Sequence, residues 1–383
     1  MRRRWSLILA VLLLAGLGVA TPGAAQARGE PFLMDTPVFV PMRPPVLGFV
    51  IEHDARRDRY RLVEVEPGTV HREGDLDDCQ DHLVELLVER WGRGRPNLAM
   101  PTPGGLQFWG DVFWFDGWRI QEHVFTGHYR LLDPADVRHA WGTRQACRTA
   151  FEAARRDDHL PRPSGHLVVL LHGLGRTSAS MAQMQRSLEA AGYATAALTY
   201  PSTRRSLADH ADQLVQVLER LEGVEQVSFV THSLGGIVVR AALARDGAWR
   251  ERVELGRVVM LAPPSNGSSI ARDLEDFLPA QLVLGPVAKD LAADEIREIP
   301  PPPCPFGVIA AGGPREEGWN PLLEGDDDGV VSVEETRLEG ADDFLVVRGL
   351  HTFLMNDEDV IAATLRFLEA GRFAGETGHL EAR

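Results

Sequence analysis

One serine of this chain stands where a strand is expected to turn into a helix. Residues 227–236 read Val-Ser-Phe-Val-Thr-His-Ser-Leu-Gly-Gly, and the second serine of this run is Ser233. The residues before it have the length and branched composition of a buried parallel strand, and residues 237–244 resemble a helix that packs on a sheet. A serine on the tight turn between them would project above the sheet, with a helix N-terminus behind it. This position predicts a nucleophile, with an inert turn serine as the alternative.

The elements around Ser233 alternate regularly between strands and helices. Strands are predicted over 166–171, 193–199, 257–261, 307–311 and 344–347, and helices over 178–191, 206–221 and 359–368. This alternation implies an α/β fold with a mostly parallel sheet and helices on both faces. Because ligands bind at the carboxyl ends of such strands, we expect the reactive side chains in the loops that follow them.

The region before this sheet, residues 28–163, has a different pattern and is predicted to be a smaller α+β domain of unknown role. A proline-rich lead-in precedes a hairpin of strands 46–51 and 60–65, a helix over 77–90, an aromatic hairpin within 106–132 and a helix over 134–156. The aromatic residues are expected to form the core of this domain, and a platform for an apolar or sugar substrate is the alternative. Residues 164–383 then form the second domain.

The first 27 residues have the pattern of a signal peptide. Three arginines precede an apolar stretch over 7–19, and Ala25-Gln26-Ala27 supplies a cleavage site. The apolar stretch is short for a membrane span, so an uncleaved anchor is the less favoured interpretation. Cleavage predicts an exported, periplasmic or extracellular protein. Loss of the three arginines lowers the formal net charge from −15 to −18, which argues against nucleic acid and anionic membrane surfaces as electrostatic partners.

Three cysteines follow in the exported part of the chain: Cys79, Cys147 and Cys304. An oxidising compartment permits one disulfide, and Cys79 with Cys147 is the predicted pair because both fall on expected helices of the N-terminal region. Three buried free thiols are the alternative.

Five short motifs over residues 164–372 resemble those of small bacterial lipases and esterases of the α/β-hydrolase superfamily. They are Leu-His-Gly-Leu-Gly at 171–175, Thr-Tyr-Pro-Ser at 199–202, Thr-His-Ser-Leu-Gly-Gly at 231–236, Asp-Gly-Val-Val at 328–331 and Leu-His-Thr-Phe at 350–353. One departure is Thr231, which occupies the first glycine of the usual G-x-S-x-G elbow. The resemblance implies an α/β-hydrolase fold.

The same resemblance implies a catalytic triad of Ser233, Asp328 and His351, in the chain order of the superfamily. His351 would take the proton of Ser233 and return it to the leaving group, while Asp328 would hold the imidazole tautomer. Asp326 and Asp327 are the fallback acids. The acidic run 326–328 could instead be a solvated loop or a calcium site.

The oxyanion hole is assigned by analogy to the backbone N–H groups of Leu174 and Leu234. Four further residues are expected to support the site: His172, Gly173, His232 and Gly235. The two histidines are interpreted as structural neighbours, with His172 bracing the oxyanion loop. Because no pair of histidines has zinc-ligand spacing, we expect no catalytic metal. No cofactor is expected either.

The segment 263–303 is the longest interruption of the alternation. By analogy it could supply an acyl-pocket wall or a lid, lined by Leu278, Leu282, Val283 and Leu284, and ordinary packing of an insertion is the alternative.

The resemblance implies a secreted serine ester hydrolase, a lipase or carboxylesterase, that cleaves acyl esters through an acyl-enzyme. Its expected partners are small-molecule acyl esters or lipids, with transient contact with lipid interfaces. An acyltransferase with the same triad and a non-catalytic binding protein with a hydrolase fold are the competing interpretations.

Overall fold

The computed structural model describes residues 38–42, 45, 48–87, 89–90, 100–102, 107–157, 159–160, 163–274, 284–292, 294–314 and 318–374. The predicted signal peptide and most of the proline-rich lead-in lie outside these residues. Within the described part of the chain, the strands form three separate sheets.

The largest sheet has six strands, and all of them are parallel. Along the chain these are β10 (Gly165–Leu171), β11 (Ala194–Leu198), β12 (Val224–His232), β13 (Glu254–Leu261), β14 (Phe306–Gly312) and β15 (Asp343–Arg348). Their spatial order is β11-β10-β12-β13-β14-β15, so β12 lies in the interior of the sheet. The chain therefore places Ser233 directly after an interior strand, as the sequence predicts.

Successive residues of these strands face opposite sides of the sheet and enter two different cores. On β10, Leu167 and Val169 pack in one core, and Val168 and Leu170 pack in the other. Strands buried on both faces are apolar throughout rather than alternating, which explains the apolar runs of the sequence.

Helices cover both faces of this sheet. The first core is covered by α4 (Leu207–Glu219), α5 (Leu234–Leu243), α6 (Ser269–Leu274) and α7 (Val287–Ala292), and the second by α3 (Ala182–Ala190) and α9 (Glu358–Ala370). Short 3₁₀ turns span Ser178–Met181, Ala248–Glu251, Asp294–Glu298 and His351–Asn356, and α8 spans Val333–Thr336. No helix among the described residues is long and apolar enough to cross a bilayer.

The region before the parallel sheet forms two smaller antiparallel sheets. The first contains β1 (Val40–Pro41), β2 (Phe49–Asp54), β3 (Arg59–Glu64) and β4 (Thr69–Gly74), and α1 (Leu76–Leu87) packs on it. The second contains β5 (Met100–Pro101), β6 (Trp109–Phe115), β7 (Trp118–His123), β8 (Tyr129–Leu132) and β9 (Val137–Gly142), and it is covered by α2 (Arg144–Asp157). The aromatic hairpin predicted within 106–132 is confirmed: β6 and β7 pair, and Asp116 and Gly117 form the turn between them with positive φ angles.

Two predictions for this region are wrong. The helix predicted over 134–156 begins only at Arg144, because residues 137–142 pair with β8 as a strand. The predicted pair Cys79 and Cys147 is not bonded: the two thiols lie in separate cores beside the first and the second antiparallel sheet, and all three cysteines are free.

The second antiparallel sheet packs directly against the parallel-sheet domain. Asp111 of β6 donates its N–H to the carbonyl of Thr199 (2.9 Å), and its buried carboxylate accepts the Thr199 N–H (2.6 Å). Trp114, also on β6, belongs to the core beneath α4 and α5. The region before residue 164 therefore contributes to the core of the domain that follows it.

Candidate active site

Ser233 occupies a strained turn at the carboxyl end of β12. Its φ of 53° and ψ of −122° lie where residues other than glycine are rarely found. The turn is fixed because the Ser233 N–H donates to the carbonyl of Leu261 (2.8 Å) and the next residue begins α5. Such strain persists only when the surrounding structure holds it, and it is typical of functional sites.

Two glycines allow the backbone to crowd around this turn. A Cβ on Gly235 would lie 2.7 Å from the carbonyl oxygen of Leu171, so no larger residue fits there. A Cβ on Gly173 would lie 2.8 Å from Nδ1 of His232 and 3.2 Å from Cβ of Ser233. The loop after β10 therefore lies directly against the serine.

Thr231 occupies the place of the usual elbow glycine without disturbing the turn. Its side chain is fully buried, and its hydroxyl is directed at the carbonyl of Val259 on the neighbouring strand (3.4 Å). A Cβ on Gly236 would lie 2.9 Å from Cβ of Pro263 but at an ordinary 3.4 Å from the Thr231 hydroxyl, so the threonine does not crowd the start of α5.

Asp328 lies in a tight turn after β14 with its carboxylate fully engaged. Oδ1 accepts the N–H groups of Val330 (3.0 Å) and Val331 (2.8 Å), and Oδ2 lies 2.6 Å from Nδ1 of His351. The residue is almost completely buried. The carboxylate thus takes part in three hydrogen bonds, and one of them orients the imidazole of His351.

The two neighbouring aspartates point elsewhere. Asp327 accepts the N–H groups of Trp319, Asn320 and Gly329, and burial raises its pKa. Asp326 accepts the N–H of Gly313 and pairs with Arg348. Of the three acids, the structure brings Asp328 to His351. No group of three or more His, Cys, Asp or Glu side chains within the described ranges is placed to hold a metal ion.

His351 is held by backbone as well as by its side chain. Its N–H donates to the carbonyl of Asp328 (3.0 Å), and its own carbonyl accepts a bond from Nε2 of His232 (3.0 Å). The rings of His232 and His351 are 4.7 Å apart. Burial and the nearby His351 hold the pKa of His232 far below its ordinary value, so His232 is a neutral donor that fixes the loop of His351 beside Ser233.

The loop after β10 carries the first predicted oxyanion donor. Leu174 lies in a turn that is closed by the bond from Arg176 N–H to the carbonyl of Gly173 (3.2 Å). Leu234 is the first residue of α5, where helical N–H groups have no partner within the helix. Because Gly173 lies against Ser233, both donors belong to the same end of the sheet.

His172 braces this loop. Its Nδ1 donates to the carbonyl of Gly173 (2.8 Å), Nε2 accepts the N–H of Tyr200, and its ring stacks on the Tyr200 ring at 4.2 Å. The Tyr200 hydroxyl donates back to the carbonyl of His172. Burial lowers the pKa of His172 to about 4, so the ring is neutral at ordinary pH. Tyr200, the second residue of the motif at 199–202, is thus a loop support.

Gln107 is a residue near the site that the sequence analysis missed. It precedes β6 in the N-terminal region, yet its side chain contacts Arg176, Ser202 and Thr203. No motif or periodicity marks it, because these contacts are between residues at least 69 positions apart.

The described part of the segment 263–303 is packed into the fold. Val287 and Leu291 lie in the core beneath α4 and α5, and Asp290 caps α4 by accepting the N–H of Leu207 (2.7 Å). Leu284 is partly buried. Leu278, Leu282 and Val283, named as candidate pocket residues, lie outside the described residues.

The surface beside His351 is apolar. Leu350 and Phe353 flank the histidine in the sequence, and both are exposed, Phe353 by 62%. Trp319 is also exposed, and both Leu350 and Trp319 lie next to Gly329 in the acid turn. We call these three residues the apolar rim.

The chain belongs to the alpha/beta hydrolase family, whose model matches residues 168–372, more than half of its length. Similar solved structures include the mature Bacillus licheniformis lipase BlEst2, with 20% identity, coverage of 56% of this chain and 94% of that one, and a TM-score of 0.42. A thermophilic esterase from Thermogutta terrifontis has 15% identity, coverage of 55% and 91%, and a TM-score of 0.36. The lin2722 gene product of Listeria innocua has 16% identity, coverage of 54% and 95%, and a TM-score of 0.39. A search of curated proteins found no match.

Proposed function

We propose that this chain is an exported serine ester hydrolase, a lipase or carboxylesterase, that cleaves acyl esters through an acyl-enzyme on Ser233. The observation that carries the proposal is the 2.6 Å contact between Nδ1 of His351 and Oδ2 of Asp328, in a loop that His232 ties to the serine turn. A nucleophile, a base and a group that orients the base are the minimum set for acyl transfer.

In the proposed acylation step, Oγ of Ser233 attacks the ester carbonyl carbon and gives its proton to Nε2 of His351. Asp328 accepts the Nδ1–H, which leaves Nε2 able to receive that proton and stabilises the imidazolium that forms. The carbonyl oxygen becomes an oxyanion, which accepts hydrogen bonds from the N–H groups of Leu174 and Leu234. Collapse of the tetrahedral intermediate breaks the bond to the alcohol oxygen, and His351 protonates the departing alcohol.

Water hydrolyses the acyl-enzyme in a second step, in which water is the nucleophile and Oγ of Ser233 is the leaving group. His351 takes a proton from water as the water oxygen attacks the acyl carbon, and it then returns a proton to Oγ of Ser233. The products are the free alcohol, the carboxylic acid and the regenerated serine. No cofactor enters this scheme, because the triad supplies both the nucleophile and the proton transfers.

The apolar rim supports an apolar acyl group or a lipid as the substrate. Exposed large apolar side chains that cluster beside a reactive site are typical of ligand or interface contacts. Leu350 and Trp319 lie next to Gly329, the residue after Asp328, and Phe353 is exposed on the 3₁₀ turn that begins at His351, so an apolar chain bound there would lie next to the reacting carbonyl. Transient contact with a lipid interface would use the same residues.

Export rests on the first 27 residues of the sequence. The basic start, the apolar stretch and the Ala25-Gln26-Ala27 site support cleavage after Ala27. Mass spectrometry of the protein recovered from the periplasm or medium should give an N-terminus at Arg28. Recovery of the intact N-terminus in the membrane fraction would contradict this part of the proposal.

The proposal is tested by substitution of Ser233. Ser233→Ala should abolish hydrolysis of p-nitrophenyl esters while leaving the thermal unfolding midpoint close to that of the parent protein. Ser265→Ala is the matched control: Ser265 is also buried, and its hydroxyl has no hydrogen-bond partner among the described residues. Full activity in Ser233→Ala would remove the serine from the reaction.

A further inference from the structure

Gln107 joins the N-terminal region to two loops at the carboxyl edge of the parallel sheet. The residue is buried, with 6% of its surface exposed. Its Nε2 donates to the carbonyl of Arg176 (2.6 Å) in the loop after β10. Its Oε1 accepts from the loop after β11, from the hydroxyl of Ser202 (3.1 Å) and from the N–H and hydroxyl of Thr203 (3.0 and 3.1 Å).

Ser202 links Gln107 to the loop after β10 a second time. Its hydroxyl donates to Oε1 of Gln107 and accepts the N–H of Gly175 (2.9 Å). Gly175 and Arg176 are therefore both anchored, one through Ser202 and the other by Gln107 directly. These two residues directly follow Leu174, the proposed oxyanion donor.

The anchor matters because the turn has little support of its own on this side. Leu174 is partly buried and Gly175 is exposed, and one 3.2 Å bond closes the turn from Gly173 to Arg176. An oxyanion donor must be held within about 0.5 Å of its productive position. The side-chain amide of Gln107 holds Arg176 directly and Gly175 through Ser202, and these two residues form the second half of the turn.

The segment that follows Gln107 is bonded to the parallel-sheet domain. Four residues further along, Asp111 forms two hydrogen bonds with the backbone of Thr199. Thr199 is the first residue after β11, and Gln107 binds Ser202 and Thr203 in the same loop. Gln213 of α4 also donates to the carbonyls of Asp111 and Thr199. These bonds tie the segment that carries Gln107 to the carboxyl end of β11.

We propose that Gln107 is a positioning residue for the oxyanion donor Leu174, so that the region before residue 164 is a working part of the active site. This inference rests on the proposed ester hydrolysis. An anchor of this kind acts on the transition state, where the oxyanion has formed, and much less on the bound ester.

The test is Gln107→Leu, which keeps the size of the side chain and removes all four hydrogen bonds. Loss of an entire oxyanion donor costs about 10² to 10³ in kcat. Displacement of one donor should therefore lower kcat by about tenfold to a hundredfold while KM changes by less than about twofold. The affinity for an alkyl boronic acid, whose tetrahedral serine adduct places an oxygen in the same hole, should fall in parallel with kcat.

Two further variants separate positioning from general destabilisation. Ser202→Ala breaks only the path to Gly175 and should give a smaller loss of the same kind; it decides the question if Gln107→Leu does not fold. Glu122→Gln is the control, because Glu122 accepts a bond from Arg205 (2.7 Å) across the same junction without contacting the loop after β10. We expect its kcat and boronate affinity to stay within about twofold of the parent.

The outcomes distinguish this inference from the proposed function. If the parent hydrolyses esters and both Gln107→Leu and Ser202→Ala keep its kcat and boronate affinity, the positioning role is wrong and the proposed function stands. Equal losses in Glu122→Gln would also overturn it. If the parent protein neither hydrolyses esters nor binds the boronate, the proposed function is wrong, and the positioning role of Gln107 is wrong as well.

Discussion

Asp328 and His351 are joined twice, once through their side chains at 2.6 Å and once through the bond from the His351 N–H to the Asp328 carbonyl at 3.0 Å. The backbone bond fixes the distance between the two loops, and the side-chain bond fixes the rotation of the imidazole. The two side chains are therefore held as one unit by the segments that follow β14 and β15.

This relationship predicts a large effect of Asp328→Asn. The asparagine oxygen can still accept the N–H groups of Val330 and Val331, but its amide would donate to Nδ1 and stabilise the wrong imidazole tautomer. In a serine protease the equivalent change lowers kcat by about 10⁴, and we expect a loss of the same order here, measured as kcat for a p-nitrophenyl ester. Asp326→Asn should retain most activity; a reversed order would assign the acid to Asp326.

Gly173→Ala tests the contact between the loop after β10 and the serine. The added Cβ would lie 2.8 Å from Nδ1 of His232 and 3.2 Å from Cβ of Ser233, so the loop must move away from the serine. Since a misplacement of 1 Å can cost about 10² in rate, kcat should fall by about that factor. Gly349→Ala is the control, because its Cβ would meet no atom of the described residues within 4 Å. Unchanged activity in Gly173→Ala would contradict the close approach.

The sequence predicted the parallel sheet well because each of its strands carries a local signal. Strand β10 was expected over 166–171 and spans Gly165–Leu171, and the turn at Ser233 was placed correctly. Burial on both faces makes such strands continuously apolar, and this pattern can be read without knowledge of their partners.

Features set by distant contacts could not be predicted in this way. Residues 137–142 were expected to be helical, but Asp136 has a φ of 60° and the segment pairs with β8. The carboxylate of Asp133 accepts the N–H groups of Ala135 and Val137. These bonds hold residues 133–137 in a turn that leads into β9 instead of a helix. Gln107 likewise has no signature of its own, because its role depends on loops that the fold brings to it.

Two buried histidines should make stability depend on pH. Burial lowers the pKa of His172 to about 4 and that of His210 to about 3, against about 6.5 in an unfolded chain. Below pH 6.5 the unfolded state binds protons that the folded state does not, so stability is highest above that pH and falls toward pH 4. Each residue should contribute a slope of about 1.4 kcal/mol per pH unit in this window.

His210→Leu isolates one of these contributions. In urea unfolding between pH 6.5 and 4, the free energy of unfolding of this variant should fall less steeply with decreasing pH than that of the parent protein. Parallel pH dependences in the two proteins would show that His210 is not buried as a neutral ring.

Trp114 should contribute to the stability of the whole chain, although it lies before the parallel-sheet domain. The side chain is buried in the core beneath α4 and α5, so Trp114→Ala should lower the free energy of unfolding by about 3–5 kcal/mol. Phe108→Ala, at a residue that is 38% exposed, should cost much less. A protein that starts at Pro163 should accordingly be less stable than the full chain, and equal stability would mean that the two regions fold independently.

The central claim, that Ser233 is an activated nucleophile, is tested most directly by a fluorophosphonate, which reacts with serines that a neighbouring base deprotonates. Mass analysis of the digested protein should find one adduct, on the peptide that carries Ser233, and labelling should be lost in His351→Ala, which removes the base. An unlabelled parent protein, or labelling on another residue, would contradict the account.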